Sequence, residues 1–105
     1  MAEVTVVYWR DIPAQVIAGR GRRGVKRALP ERFEQAIDRA AMRSGAAGTD
    51  AYLAAWRKAP PEIVDAADDT AATDVAARID ADYDAARLKH LIENGGWSSV
   101  PARQT

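Results

Sequence analysis

The sequence concentrates five positive charges in one short stretch that also contains three glycines. Gly19, Gly21 and Gly24 fit the pattern G-x-G-x-x-G, in which backbone amides at a strand-to-helix turn bind a dinucleotide phosphate. Here a second β-type run follows the glycines instead of a helix, which argues against nucleotide binding. The charges therefore indicate either an anion or nucleic-acid contact or a soluble hairpin turn beside an edge strand. They belong to Arg20, Arg22, Arg23, Lys26 and Arg27.

No other group of residues has the spacing of a catalytic or metal site. His90 is the only histidine and the chain has no cysteine, so the sequence offers neither a pair of imidazole ligands nor a thiolate. The aspartates of the second half lack the alternating ligands and central glycine of a calcium loop. We therefore expect a protein with no catalytic activity of its own, no cofactor and no bound metal.

Length and composition point to one small domain. A chain of 105 residues has the length of a single domain, which we expect over 1–96 with a C-terminal tail over 97–105. The first residues lack a secretory signal and no apolar run could span a bilayer, so we expect a cytoplasmic protein away from membranes. Residues 1–58 carry a net charge of +5 and residues 59–105 one of −5, which favours two halves that neutralise each other.

The basic stretch lies inside a predicted three-stranded antiparallel meander over 3–9, 14–19 and 24–29. In the first strand, β-branched and aromatic residues fill both faces. The predicted helices supply only one covering layer, so we expect one face to be left for a partner, which could be a second copy of the chain. The two faces are Val4, Val6 and Tyr8, and Thr5, Val7 and Trp9.

Three helices are predicted to follow, over 30–44, 49–58 and 69–94, packed mainly on one face of the sheet. Together with the meander they define an α+β fold. The third helix has apolar residues on two opposite sides, so it is either covered on both sides or broken near Asp84. The absence of an internal glycine or proline favours the continuous helix.

The chain has a recognisable pattern in VYWRDIPAQV at 7–16, Arg22-Arg23, FEQAIDRAAM at 33–42 and TDAYLAAW at 49–56. In these residues it resembles the small bacterial "virulence factor" domain family. The resemblance covers about residues 3–95 and extends to a module of conserved virulence factor C, where it accompanies helical repeats. It implies a small α+β domain in a cytoplasmic bacterial protein and brings no catalytic residue with it. Relatives that stand alone keep company with folate- and corrinoid-dependent methyl transfer, which implies an accessory subunit.

We expect a non-enzymatic interaction module that acts through a protein partner or a second copy of itself. The alternative is nucleic-acid binding through the basic hairpin at 20–27, with nearby aromatic rings for base stacking. A third interpretation is a small subunit of a one-carbon enzyme, whose partner would supply the cofactor. The predicted interaction surface consists of Tyr8, Trp9, Arg10, Asp11, Arg20, Arg22, Arg23, Lys26 and Arg27.

Overall fold

The computed structural model of the protein describes residues 1–20 and 24–98. The fold is α+β, as the sequence predicts, and within these residues it has one antiparallel sheet of five strands and four helices. The strands are β1 (Ala2–Trp9), β2 (Ile12–Ala18), β3 (Val25–Ala28), β4 (Trp56–Lys58) and β5 (Glu62–Val64). The helices are α1 (Glu31–Ser44), α2 (Asp50–Ala54), α3 (Asp68–Asp82) and α4 (Ala85–Glu93). Over the same residues, no helix is both long enough and apolar enough to cross a bilayer.

Strand β1 lies at the centre of the sheet and pairs along both of its edges. Strand β2 follows it in a hairpin, and β3 pairs with the outer edge of β2. Along the other edge of β1, β4 pairs with residues 7–9 and β5 with residues 2–4, so these two short strands lie end to end. The predicted meander is confirmed as β1, β2 and β3, but it is only part of the described sheet.

The helix predicted over 49–58 is wrong in its second half, where the chain forms β4. The free edge of β1 offers backbone partners that a short isolated helix lacks. Ala59 extends this pairing by donating its N–H to the carbonyl oxygen of Val6 at 3.0 Å. Pro60 and Pro61 then have no N–H to donate, which an outer strand position tolerates and a helix interior does not. The next residues, for which the sequence predicts no strand, form β5.

A β-bulge shifts the register of β1 and β2 near the loop that joins them. Val7 pairs with Gln15, whereas the next residue of β1 pairs with Pro13, so Ala14 is an extra residue on β2. The bulge accommodates the proline, which lacks an N–H and whose side chain is fully buried. The strand predicted to begin at Ala14 therefore begins two residues earlier.

Helix α3 covers one face of the sheet. This face carries Val4 and Val16, which are both buried. Their strand neighbours on the same face, Glu62 and Arg27, form ion pairs with side chains of α3. The alternation predicted for β1 is therefore confirmed, and the helix supplies the cover that the face of Val4 needs.

The continuous helix predicted over 69–94 is wrong, because the chain leaves the helical conformation at Tyr83, with φ −104° and ψ 75°. The carboxylate of Asp84 then accepts a hydrogen bond from Arg87 N at 2.8 Å and caps the first turn of α4. The break lets the two opposite apolar stripes face different neighbours. The stripe of α3 packs on the sheet, and that of α4 packs on α1.

Helix α1 ends where the sequence predicts, at Gly45. This glycine has φ 79° and donates its N–H to carbonyl oxygens of the last helical turn. The apolar stripe of α1 is buried and includes Phe33 and Ile37. Helix α1 contacts β2 as well as α4, so it joins the sheet and α4 in one hydrophobic core.

We expect Asp84→Ala to lower the free energy of unfolding by about 1 kcal/mol, because the first turn of α4 loses its cap. Urea denaturation followed by circular dichroism measures this change. Asp74→Ala is the matched control, since Asp74 is exposed on α3 and has no side-chain partner among the described residues. Equal stability of the two variants would contradict the role given to Asp84.

Candidate functional site

A two-residue loop joins β1 to β2 and holds Arg10 in the left-handed region, with φ 55°. Trp9 and Ile12 pair across this loop. Hairpins of this length favour glycine where φ is positive, because a side chain there is strained by roughly 1–3 kcal/mol. The contacts of the Arg10 side chain must offset this strain.

The guanidinium of Arg10 packs between two tryptophan rings. Its central carbon lies 4.7 Å from the centroid of the Trp9 ring and 5.2 Å from that of the Trp97 ring. Its Nη1 donates to the carbonyl oxygen of Gly95 at 2.7 Å. Cation–π contacts of this kind are worth about 0.5–2 kcal/mol and gain strength where water is excluded. Arg10 thus links the β1–β2 loop to the residues that follow α4.

Asp11 makes the same connection through its backbone and its carboxylate. Its N–H donates to the carbonyl oxygen of Gly96 at 2.8 Å. Its carboxylate accepts from Ser98 N at 2.8 Å, Ser98 Oγ at 3.0 Å and Arg57 Nη2 at 3.1 Å. Arg57 also donates from Nε to the carbonyl oxygen of Arg10 at 2.9 Å. Both carboxylate oxygens of Asp11 are therefore engaged inside the protein.

Trp9 lies at the centre of this arrangement and is 0% exposed. Its Nε1 donates to the carbonyl oxygen of Tyr52 at 2.9 Å, and its ring packs against Gly96. We call residues 9–11 together with residues 95–98 the clasp. Because the Trp9 ring is enclosed, it supports the clasp from inside and is not a surface for a partner.

Three of the predicted basic residues, Arg20, Lys26 and Arg27, are described, and they lie beside the half of β2 that is farther from the clasp. Arg20, which follows β2, is roughly 20 Å from the clasp by the rise of the strand. The structure therefore does not bring the two parts of the predicted surface together. Arg20 is exposed, and its Nε donates to Glu3 Oε1 at 2.6 Å, which lowers the pKa of that carboxyl. Arg22 and Arg23 lie outside the described residues.

Two further basic residues of the hairpin lie on β3 and point to opposite faces. Arg27 faces α3 and forms an ion pair with Asp69. Lys26 is exposed on the other face, opposite Ile17 of β2. Lys26 and Arg27 therefore do not lie on one face of the hairpin.

The face of the sheet opposite α3 is only partly covered. Helices α1 and α2 border it at one end, where they enclose a cleft of about 250 Å³ with Gln15 and Trp56. The pairing of β1 with β4 and β5 places Trp56 and Ile63 on this face, with 38% and 58% of their surface exposed. We call this the uncovered face; its partly exposed central residues are Thr5, Val7, Gln15 and Ile17.

A separate polar pocket of about 230 Å³ lies where β1, β4 and the break between α3 and α4 meet. Two arginines stack on two tyrosines in its wall. The guanidinium carbon of Arg57 is 4.5 Å from the centroid of the Tyr8 ring, and that of Arg87 is 3.8 Å from that of the Tyr83 ring. Burial and the neighbouring Tyr8 raise the pKa of Tyr83 above its usual value of 10.0. The sequence does not predict this pocket, because the continuous helix favoured over 69–94 lacks the break at which Tyr83 and Arg87 lie. Asp84, a good N-cap residue, is the sequence signal for the break.

Within residues 1–20 and 24–98, no cluster of three or more acidic or histidine side chains could hold a metal ion. His90 is exposed, and its Nε2 lies 3.0 Å from the amide nitrogen of Asn94.

The sequence matches the model of a known family. The model of the family described as "Virulence factor" matches residues 7–92. The match covers most of the chain, and the protein belongs to the virulence factor family, as the resemblance of its sequence predicts. No curated protein and no solved structure matches the chain.

We expect Gly96→Ala to destabilise the protein by more than about 2 kcal/mol. The residue has φ +100°, and an added Cβ would lie 2.8 Å from Cζ3 of Trp9, so backbone strain adds to a steric clash in the clasp. Gly48→Ala is the matched control, because its φ is +75° and an added Cβ meets nothing within 4 Å. Thermal or urea unfolding compares the two, and an equal loss would show that the clasp is not tightly packed.

We expect the phenol of Tyr83 to titrate above its usual pKa of 10.0, because burial disfavours its charged form. Because the folded state favours its neutral form, the stabilisation is fully present below the unfolded pKa of about 10 and is lost as the pH rises through the folded value. Phenolate absorbance during an alkaline titration measures this, and the difference from Tyr83→Phe identifies the component that belongs to Tyr83. A Tyr83 component with its midpoint at or below pH 10.0 would contradict the assignment.

Proposed function

We propose that this protein is a non-enzymatic interaction module that binds a protein partner through its uncovered face. The observation that carries the proposal is the exposure of Ile63 and Trp56 on a sheet face that the described helices only border. A large apolar side chain that is exposed beside other apolar residues is a common mark of a binding surface.

The composition of the uncovered face supports this choice. Its centre is Val7 and Ile17, whose β-branched side chains lose little rotamer freedom when a partner covers them. Lys26 and Lys58 are exposed on the same face and place positive charge around that centre. An apolar centre with a charged rim is typical of protein interfaces. We therefore expect a partner with an apolar patch and acidic residues around it.

Ile63→Glu should weaken partner binding at least about tenfold, because it places a carboxylate in the contact. The binding is measured by affinity capture from the source bacterium, followed by titration with the purified partner. Met42→Glu is the matched control, since Met42 is 72% exposed and lies on α1, away from the uncovered face. Equal recovery of the partner by both variants would overturn the proposal. Sedimentation of the protein alone tests whether the partner is a second copy.

Changing Arg20, Arg22 and Arg23 to Glu tests the basic hairpin in the same capture experiment. If the partner is recovered at the same yield, the turn is not part of the interface. This result would separate the hairpin from the uncovered face, because the two sets of variants share no residue.

Nucleic-acid binding through the hairpin at 20–27 has less support. Arg20 and Arg27 are already paired with Glu3 and Asp69, which reduces the charge available to a phosphate backbone. Binding to mixed RNA and DNA at about 50 mM salt, followed by a salt titration, tests this alternative.

The likeness to domains that accompany folate- and corrinoid-dependent methyl transfer suggests one class of partner. In this form of the proposal the protein is an accessory subunit, and its partner holds the cofactor. Capture of a methyltransferase or corrinoid protein by the unmodified chain, but not by Ile63→Glu, would support it.

A further inference from the structure

The polar pocket at the break between α3 and α4 is independent of the uncovered face. Tyr8 contributes to it from the face that α3 covers, and Arg57, its pairing neighbour in β4, lies on the same side. Tyr83 and Arg87 come from the break and from the first turn of α4. Ser98 completes the wall from the clasp.

The charged residues that line this pocket are two arginines, Arg57 and Arg87, and one carboxylate, Asp11. Arg57 is paired with Asp11, whose two carboxylate oxygens are engaged by Arg57 and by Ser98. Arg87 donates from Nη1 to the carbonyl oxygen of Asp82 at 3.2 Å and forms no ion pair among the described residues. A positive charge therefore remains at the pocket mouth, with spare N–H groups on a planar guanidinium.

The two tyrosines add neutral donors beside this charge. Each ring stacks on an arginine, and both tyrosines line the pocket. With a pKa raised above 10.0, the phenol of Tyr83 is protonated throughout the physiological range and can donate a hydrogen bond. A guanidinium with hydroxyl donors around it matches an oxyanion that accepts several hydrogen bonds from different directions.

The volume of the pocket limits the size of the ligand. At about 230 Å³ it is smaller than the pockets that hold drug-sized molecules, which begin near 300 Å³. We propose that Arg87, Arg57, Tyr8 and Tyr83 form a binding site for a phosphate group, either free phosphate or the phosphate of a small monoester.

The test is an NMR titration of the full chain labelled with ¹⁵N, at constant ionic strength with chloride as the reference anion. Inorganic phosphate should cause saturable shifts in the backbone amides of residues 8, 57, 83 and 87. Glycerol 3-phosphate is the second probe. Tighter binding of the ester identifies a monoester site, and equal binding identifies a site for free phosphate. If neither probe causes saturable shifts at concentrations up to about 20 mM, the proposal is overturned.

Arg87→Gln should weaken phosphate binding at least about tenfold, because a charge-assisted hydrogen bond is lost. Arg39→Gln makes the same change of charge on α1, outside the pocket, and should bind phosphate as the unmodified chain does. An equal loss in both variants would mean that phosphate responds only to net charge and would overturn the site.

Two further variants separate an effect on binding from an effect on folding. Arg87→Lys keeps the charge but removes the planar guanidinium, so we expect a smaller loss than for Arg87→Gln. Tyr83→Phe keeps the ring that stacks on Arg87 and removes only the hydroxyl, and it should weaken binding about threefold to tenfold. Unchanged binding in Tyr83→Phe and Arg87→Lys together, with native amide spectra, would contradict the proposed donors.

Discussion

The packing of Arg10 between Trp9 and Trp97 is the interaction on which the rest of the structure depends. The tight turn between β1 and β2 forces Arg10 into a conformation that glycine would adopt more easily. The strain persists because the guanidinium stacks on both rings and bonds to Gly95. The turn, α2 and residues 95–98 after α4 are thereby fixed relative to one another.

The sequence identifies β1, β2 and β3 well because local signals and tertiary contacts agree there. The β-branched run at β1, Gly19 after β2 and Gly45 at the end of α1 each predict what the structure contains. Strands β4 and β5, which pair with the outer edge of this meander, are harder to predict. Residues 56–58 have no strong strand pattern of their own, and they extend because the edge of β1 is free beside them.

The break at Tyr83 illustrates the opposite case, in which the local signal was present but ambiguous. Asp84 can cap a helix, yet an aspartate inside an alanine-rich helix is also tolerated. Two apolar stripes on opposite sides are the better indicator, because a helix at the rim of a small domain can bury only one of them. The choice depends on where the sheet and α1 lie, and no single helix sequence contains that information.

The run at 7–16 carries the family likeness, but it is a weak guide to function because residues 9–11 belong to the clasp. Of the predicted surface residues, Trp9 is enclosed, Arg10 is stacked and Asp11 is fully engaged, so their residue types serve the fold. The family match includes these residues but ends at residue 92, before the segment that they bind. The exposed chemistry lies on the two sides of the sheet that the clasp holds in place. One side has the partly exposed apolar residues that we propose bind another protein, and the other has the arginines and tyrosines that we propose bind a phosphate group.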